Sequence, residues 1–81
     1  MSEDLVQDIR VQLGQLLGKP TDNLDPKALQ ALVQEGIEAE RAARRAAHGG
    51  GSTMALNALL NFDLLIRTKV FNLPREQIRA S

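Results

Sequence analysis

The segment that most constrains the fold of this chain is 54–73, MALNALLNFDLLIRTKVFNL, which follows a run of three glycines. Wound into an α-helix of about 3.6 residues per turn, it carries apolar side chains on two faces. The first face contains Ala55, Leu59, Phe62, Ile66 and Val70, and the second contains Leu56, Leu60, Leu64 and Phe71. An ordinary surface helix has one apolar stripe and a charged back, so the second face predicts contact with a partner.

The length and the cysteine content limit how the fold can be stabilised. A chain of 81 residues forms one small domain, and small cores are often completed by oligomerisation. There is no cysteine and only one histidine, so we expect neither disulfides nor a bound metal or other cofactor. Small secreted domains usually depend on disulfides, so their absence favours a cytoplasmic location.

The charge balance argues against two classes of partner. Ten basic residues match ten acidic ones, whereas general binders of nucleic acid or of membrane surfaces start from a positive excess. The acidic start MSEDLVQD lacks the basic and apolar regions of a signal peptide. The apolar stretch is interrupted by Asn57, Asn61 and Asp63, which makes it too polar to span a bilayer. We therefore expect no membrane partner.

Capping residues divide the chain into helices. Ser2 is a favourable N-cap, Gly18 a favourable C-terminal cap, and Asp25 followed by Pro26 a typical helix start. The predicted elements are helix 1 at about 3–17, helix 2 at about 26–47, a glycine loop at 48–52, helix 3 at about 53–72 and a short C-terminal turn at 74–79. They form a single domain, 1–81.

The apolar stripe of helix 2 becomes smaller along the helix. It begins with leucine and valine and continues through Gly36 and Ile37 to Ala39, Ala43 and Ala47. Small side chains allow a neighbouring backbone to come close, so this pattern predicts tight packing of the second half of helix 2. The alternative is that alanine is present only because it is the best helix former.

The glycine run resembles two catalytic or binding motifs without completing either. A phosphate-binding P-loop requires a lysine directly before the Ser or Thr and a preceding strand, and both are missing around GGGST. The HGGG stretch resembles the oxyanion element of lipases, but the chain has no G-x-S-x-G nucleophile motif. The glycines are therefore interpreted as a hinge between helices.

Asp63 and Arg67 are spaced four residues apart, as in a helical salt bridge, and lie between the two apolar faces. A charged pair in this position more often fixes the register of a helix interface than performs chemistry. Helix 3 offers no nucleophile, no metal ligands and no second carboxylate beside them. We therefore predict that the protein is not an enzyme and has no small-molecule substrate.

A basic cluster lies at the end of helix 2. Its members are Arg41, Arg44, Arg45 and His48. They form a candidate patch for an anion or for nucleic acid. The structural interpretation is favoured, because cations suit a helix C-terminus and the spacing allows the ion pairs Glu40–Arg44 and Glu38–Arg41. The neighbouring residues are mostly alanines, which cannot read base edges.

These patterns predict an all-α, three-helix domain in which helices 2 and 3 form an antiparallel hairpin and helix 1 packs on its open side. We expect it to complete its core by oligomerisation, most simply as a homodimer with a two-fold axis. The predicted interface consists of Leu56, Leu60, Leu64 and Phe71, with Asp63 and Arg67 setting the register. The expected role is that of an interaction module: an adaptor, an assembly subunit or a regulatory binder.

Two alternatives remain from the sequence. In the first, the protein is a nucleic-acid-associated regulatory or packaging protein that uses Arg41, Arg44 and Arg45. In the second, two helical docking segments are joined through the GGGS stretch at 49–52, since Met54 follows almost at once and could begin a separate reading frame.

Overall fold

A computed structural model describes residues 2–46 and 53–74, and these residues are almost entirely helical. The elements are α1 (Ser2–Leu17), α2 (Pro26–Ala46), α3 (Thr53–Leu65) and a π-helical segment (Ile66–Val70) that continues α3 directly. The predicted all-α fold is confirmed for this part of the chain. The predicted glycine loop at 48–52 and the C-terminal turn beyond Pro74 lie outside the described residues.

The helix ends follow the local signals in the sequence. Gly18 has a φ of 65°, and its N–H donates to the carbonyl of Gly14 at 2.8 Å, which closes α1. The Asp25 carboxylate accepts a hydrogen bond from the N–H of Ala28 at 2.8 Å, as expected for the N-cap of α2. Both boundaries lie within one residue of their predicted positions.

The short connection from α1 to α2 is held by side-chain to backbone hydrogen bonds. The hydroxyl of the buried Thr21 donates to the carbonyl of Arg10 at 2.7 Å. The Arg10 guanidinium in turn donates to the carbonyl of Leu24, with its Nε at 2.8 Å. A Cβ at Gly14 would lie 3.0 Å from the Thr21 hydroxyl oxygen, so glycine makes room for this loop. These contacts fix the direction in which α2 begins.

The core is aliphatic except for one phenylalanine and lies where the three helices meet. Its buried members are Val6, Ile9, Leu13, Leu29, Val33, Ile37, Leu56, Leu59, Phe62 and Ile66. Gly36 of α2 allows the closest approach: a Cβ there would lie 3.1 Å from Leu59 of α3 and 3.4 Å from Leu17 of α1. A larger residue at this position would have to displace the ends of the Leu59 and Leu17 side chains.

The second half of α2 differs from the prediction. Ala39 and Ala43 are exposed, so the close packing expected of them is wrong, and Glu40 and Arg44 are the half-buried positions instead. Ala47, the last residue of the predicted stripe, lies outside the described residues. The reason is the length of α1, whose last turn meets α2 at Gly36. Beyond that point α1 covers nothing.

The end of α3 widens into the π-helical segment. The N–H of Phe71 donates to the carbonyl of Ile66, five residues earlier, at 2.8 Å. The N–H of Leu73 donates to the carbonyl of Arg67 at 2.9 Å, and Asn72 adopts a φ of 57°. A residue in the left-handed region that turns the chain back onto its last carbonyls is a common helix end, and asparagine tolerates this conformation.

Candidate interaction surface

A hydrogen-bonded cluster joins α2 to α3 around Asp63. The side-chain amide of Gln34 donates to Oδ1 of Asp63 at 2.8 Å. Nε of Arg67 lies 3.1 Å from both carboxylate oxygens, so the ion pair expected from the four-residue spacing is present. The side chains of Asp63 and Arg67 are 15% and 32% exposed. The carboxylate is thus occupied by two donors at the junction of two helices.

Leu60 and Leu64 lie next to this cluster and face away from the core. Leu60 is 38% exposed and Leu64 is half-buried. Leu56, which the helical wheel assigned to the same outward face, is only 7% exposed and belongs to the core. It lies three residues before Leu59 and four before Leu60, so helical spacing alone places it beside either of them, and its packing in the core assigns it to the side of Leu59. The outward row therefore consists of Leu60 and Leu64.

Phe71 also leaves the outward row, because of the π-helical segment. In an uninterrupted α-helix it would follow Leu60 and Leu64 on the same face. One extra residue in a turn rotates the residues that follow by roughly 100°. Phe71 accordingly packs against the edge of the core and lies near the first turns of α2.

Phe71 and Arg67 form one wall of an open depression of about 500 Å³, and α2 forms the other. The residues from α2 are Lys27, Gln30, Ala31 and Gln34. Gln30 and Ala31 lie three or four positions after Lys27 and before Gln34, so the four residues form one stripe along the helix. We name this feature the Phe71 depression.

The basic cluster of α2 is solvent-facing and unpaired where it is described. Arg41 and Arg45 are exposed and Arg44 is half-buried. The two salt bridges within 4.0 Å among the described residues are Lys19–Glu35 and Arg67–Asp63, so the expected pairs of Glu38 and Glu40 with these arginines are not formed. His48 lies outside the described residues.

The sequence reading missed the α2 side of this surface. Gln34, Gln30 and Lys27 were not singled out, although their spacing places them on one stripe of helix 2. The available signal was that three long polar side chains follow one another at helical spacing beside an apolar stripe. The spacing does not predict that the end of α3 lies against these residues.

None of the helices within 2–46 and 53–74 is long and apolar enough to cross a lipid bilayer.

No protein-family model, characterised protein or solved structure matches this chain.

Proposed function

We propose that this protein is a protein–protein interaction module without chemistry of its own, and that it associates with a second copy through the outward row of α3. The observation that carries the proposal is the contrast between two consecutive leucines. Leu59 is fully buried while Leu60 is 38% exposed, although the core is closed without it. Leu60 lies four residues before the half-buried Leu64, so the two side chains form one contiguous apolar surface, and contiguous exposed apolar surface is the feature that marks association sites.

The platform for this surface is an antiparallel hairpin of α2 and α3. Three sets of contacts support this arrangement: Gly36 with Leu59, Gln34 with Asp63, and the first turns of α2 with Phe71. Positions increase along one helix as they decrease along the other. α1 then packs along the same pair and leaves the outward row of α3 uncovered.

The proposed partner is a second copy because a two-fold interface requires only one self-complementary surface. The row is short, and Asp63 and Arg67 lie at its edge. A charged group at the edge of an apolar contact selects one register among several.

The test is the molar mass of the protein in solution. Light scattering after gel filtration should give roughly twice the 8.9 kDa of one chain for the wild type. The protein concentration needed for the molar mass should be measured by refractive index, because a chain with neither Trp nor Tyr absorbs little light at 280 nm. Leu60→Asp should give the mass of one chain, since a buried carboxylate without a partner is strongly disfavoured.

Asn61→Asp is the matched control, because it adds the same charge at the next exposed position of α3. It should keep the mass of the wild type. Circular dichroism must show helical spectra for both variants. A folded wild type that remains a single chain at high concentration contradicts the proposal.

A second candidate function is binding of nucleic acid through Arg41, Arg44 and Arg45. It is favoured by the absence of ion-pair partners for these side chains among the described residues. Fluorescence anisotropy with a labelled duplex should then show an affinity that falls steeply with salt and decreases in an Arg41→Gln/Arg45→Gln variant. No binding at low salt would end this candidate.

A further inference from the structure

The Phe71 depression differs in charge from the two other depressions described on this protein. One of those is lined by Gln12, Gln15, Leu16, Ala58 and Phe62 and carries no charged group. Another contains Lys19 and Glu35, which form a salt bridge at 3.0 Å. The Phe71 depression is lined by Lys27 and Arg67 and by no carboxylate. Arg67 is paired with Asp63, so among the three depressions this one is distinguished by a lining cation without a salt-bridge partner among the described residues, Lys27.

The start of α2 adds to this charge. Lys27 lies in the first turn of α2, where the helix dipole is positive, and that turn contains no acidic residue. The N-cap carboxylate of Asp25 is already bonded to the N–H of Ala28. Lys27 makes no salt bridge within the described part of the chain. Its ammonium group is therefore available to an anion.

Arg67 contributes from the opposite wall. Its Nε is shared by the two oxygens of Asp63, which is only 15% exposed and also accepts a hydrogen bond from Gln34. Asp63 therefore offsets the formal charge of Arg67, and Lys27 supplies the net positive charge of the depression. The remaining N–H groups of the guanidinium have the planar arrangement that suits a carboxylate.

Each wall of the depression also has an apolar part. Ala31 supplies it on the side of α2 and Phe71 on the opposite side, and Gln30 adds an uncharged polar side chain. An inorganic anion would gain nothing from these apolar side chains. A peptide in which acidic side chains alternate with apolar ones would use both parts, because the carboxylates reach the cations while an apolar side chain covers Phe71.

We propose that the Phe71 depression binds an acidic segment of a partner protein, with carboxylates paired to Lys27 and Arg67 and an apolar side chain packed against Phe71 and Ala31. This inference rests on the proposed function, since it assumes an interaction module. It names a partner that differs from the second copy and a surface centred on α2 instead of on Leu60.

The experiment is an NMR titration of the full chain with two synthetic peptides. The first is a capped decapeptide of leucines separated by glutamates, and the second has glutamine in place of every glutamate. The acidic peptide should shift the amide signals of Lys27, Gln30 and Phe71 at low salt, and the glutamine peptide should bind roughly fivefold or more weakly. Added salt should reduce the difference between the peptides.

Lys27→Glu should weaken binding of the acidic peptide by roughly fivefold or more, because one attraction becomes a repulsion. Lys69→Glu is the matched control: it reverses an exposed lysine on the π-helical segment that does not line the depression, and it should bind as the wild type does. Equal affinity for both peptides, or shifts that map elsewhere, would overturn the inference.

The Leu60→Asp variant separates the two proposals, since it leaves Lys27, Arg67 and Phe71 in place. If self-association is lost while the peptide still binds, both proposals stand. If the wild type is a single chain but binds the acidic peptide, only the self-association fails. If the wild type dimerises and the peptide does not bind, only the proposal for the Phe71 depression fails.

Discussion

Two neighbouring leucines of α3 have opposite environments. Leu59 is fully buried and packs against Gly36, whereas Leu60 is 38% exposed beside the half-buried Leu64. Both are leucines on the same turn of the same helix, so neither hydrophobicity nor helix propensity distinguishes them. The difference comes from the positions of α1 and α2, which cover one side of α3 and not the other. The comparison shows that the three helices bury a complete core while some large apolar side chains remain exposed.

The largest expected effect tests this contrast directly. Leu59→Ala should lower the free energy of unfolding by about 2–5 kcal/mol, because it leaves a cavity where three helices meet. Leu60→Ala should change it by no more than about 0.5 kcal/mol at a concentration where the protein is a single chain. Urea unfolding followed by far-UV circular dichroism measures both. Equal losses for the two variants would break the comparison.

The next prediction concerns the point of closest approach. Gly36→Val should destabilise the fold by about 1–3 kcal/mol, because the new side chain meets Leu59 and Leu17 in a filled space. Ala39→Val is the control, since Ala39 is an exposed residue of the same helix. It should cost only the small difference in helix propensity, about 0.5 kcal/mol. A similar loss for both variants would mean that α2 and α3 are not in close contact.

The hydrogen-bonded cluster of Gln34, Asp63 and Arg67 should contribute less to the free energy of unfolding. Asp63→Ala removes the acceptor of both Gln34 and Arg67, and the expected loss is about 1 kcal/mol because the pair is partly exposed to solvent. Gln34→Ala in the same background should then cost little more, since its partner is gone. A double-mutant cycle in urea measures the coupling, and fully additive losses would show that the hydrogen bond is not formed.

The end of α3 provides a test on the backbone. Asn72 has a φ of 57°, so Asn72→Val should destabilise the protein by about 1 kcal/mol, and Asn72→Gly should leave it unchanged or slightly more stable. Thermal unfolding by circular dichroism distinguishes the two. If valine were tolerated as well as glycine, residue 72 would not have the left-handed conformation that ends the π-helical segment.

The smallest effect is expected at the exposed ion pair. Lys19 and Glu35 are 3.0 Å apart, but both side chains are largely in solvent. Lys19→Met should therefore change the free energy of unfolding by less than about 0.5 kcal/mol. A larger loss in urea unfolding than that of Asp63→Ala would reverse the order in which these two ion pairs stabilise the fold.

Most helix boundaries could be predicted because they depend on a few adjacent residues. The sequence Asp25-Pro26 begins α2, and Gly18 and Asn72 adopt the left-handed conformations that end the helices before them. Such signals act within one or two turns. The all-α class followed from them and from the helical spacing of apolar residues.

The candidate surface was predicted in part. Leu60, Leu64, Asp63 and Arg67 lie together on or beside the outward side of α3, whereas Leu56 is in the core. The partner of Asp63 on α2, Gln34, is 29 residues away in the chain, and no local pattern joins them. The self-association and the arginine patch remain predictions.

By itself, the sequence determined where α1 ends and where α2 begins, since these boundaries depend on local conformation. It did not determine that α3 changes to a π-helical segment after Leu65. Only the tertiary structure decided which rows are covered. α1 is too short to reach the second half of α2, so Ala39 and Ala43 are exposed. The π-helical turn moves Phe71 by one position towards α2. Burial depends on where neighbouring helices stop, and that information lies in the distances between elements.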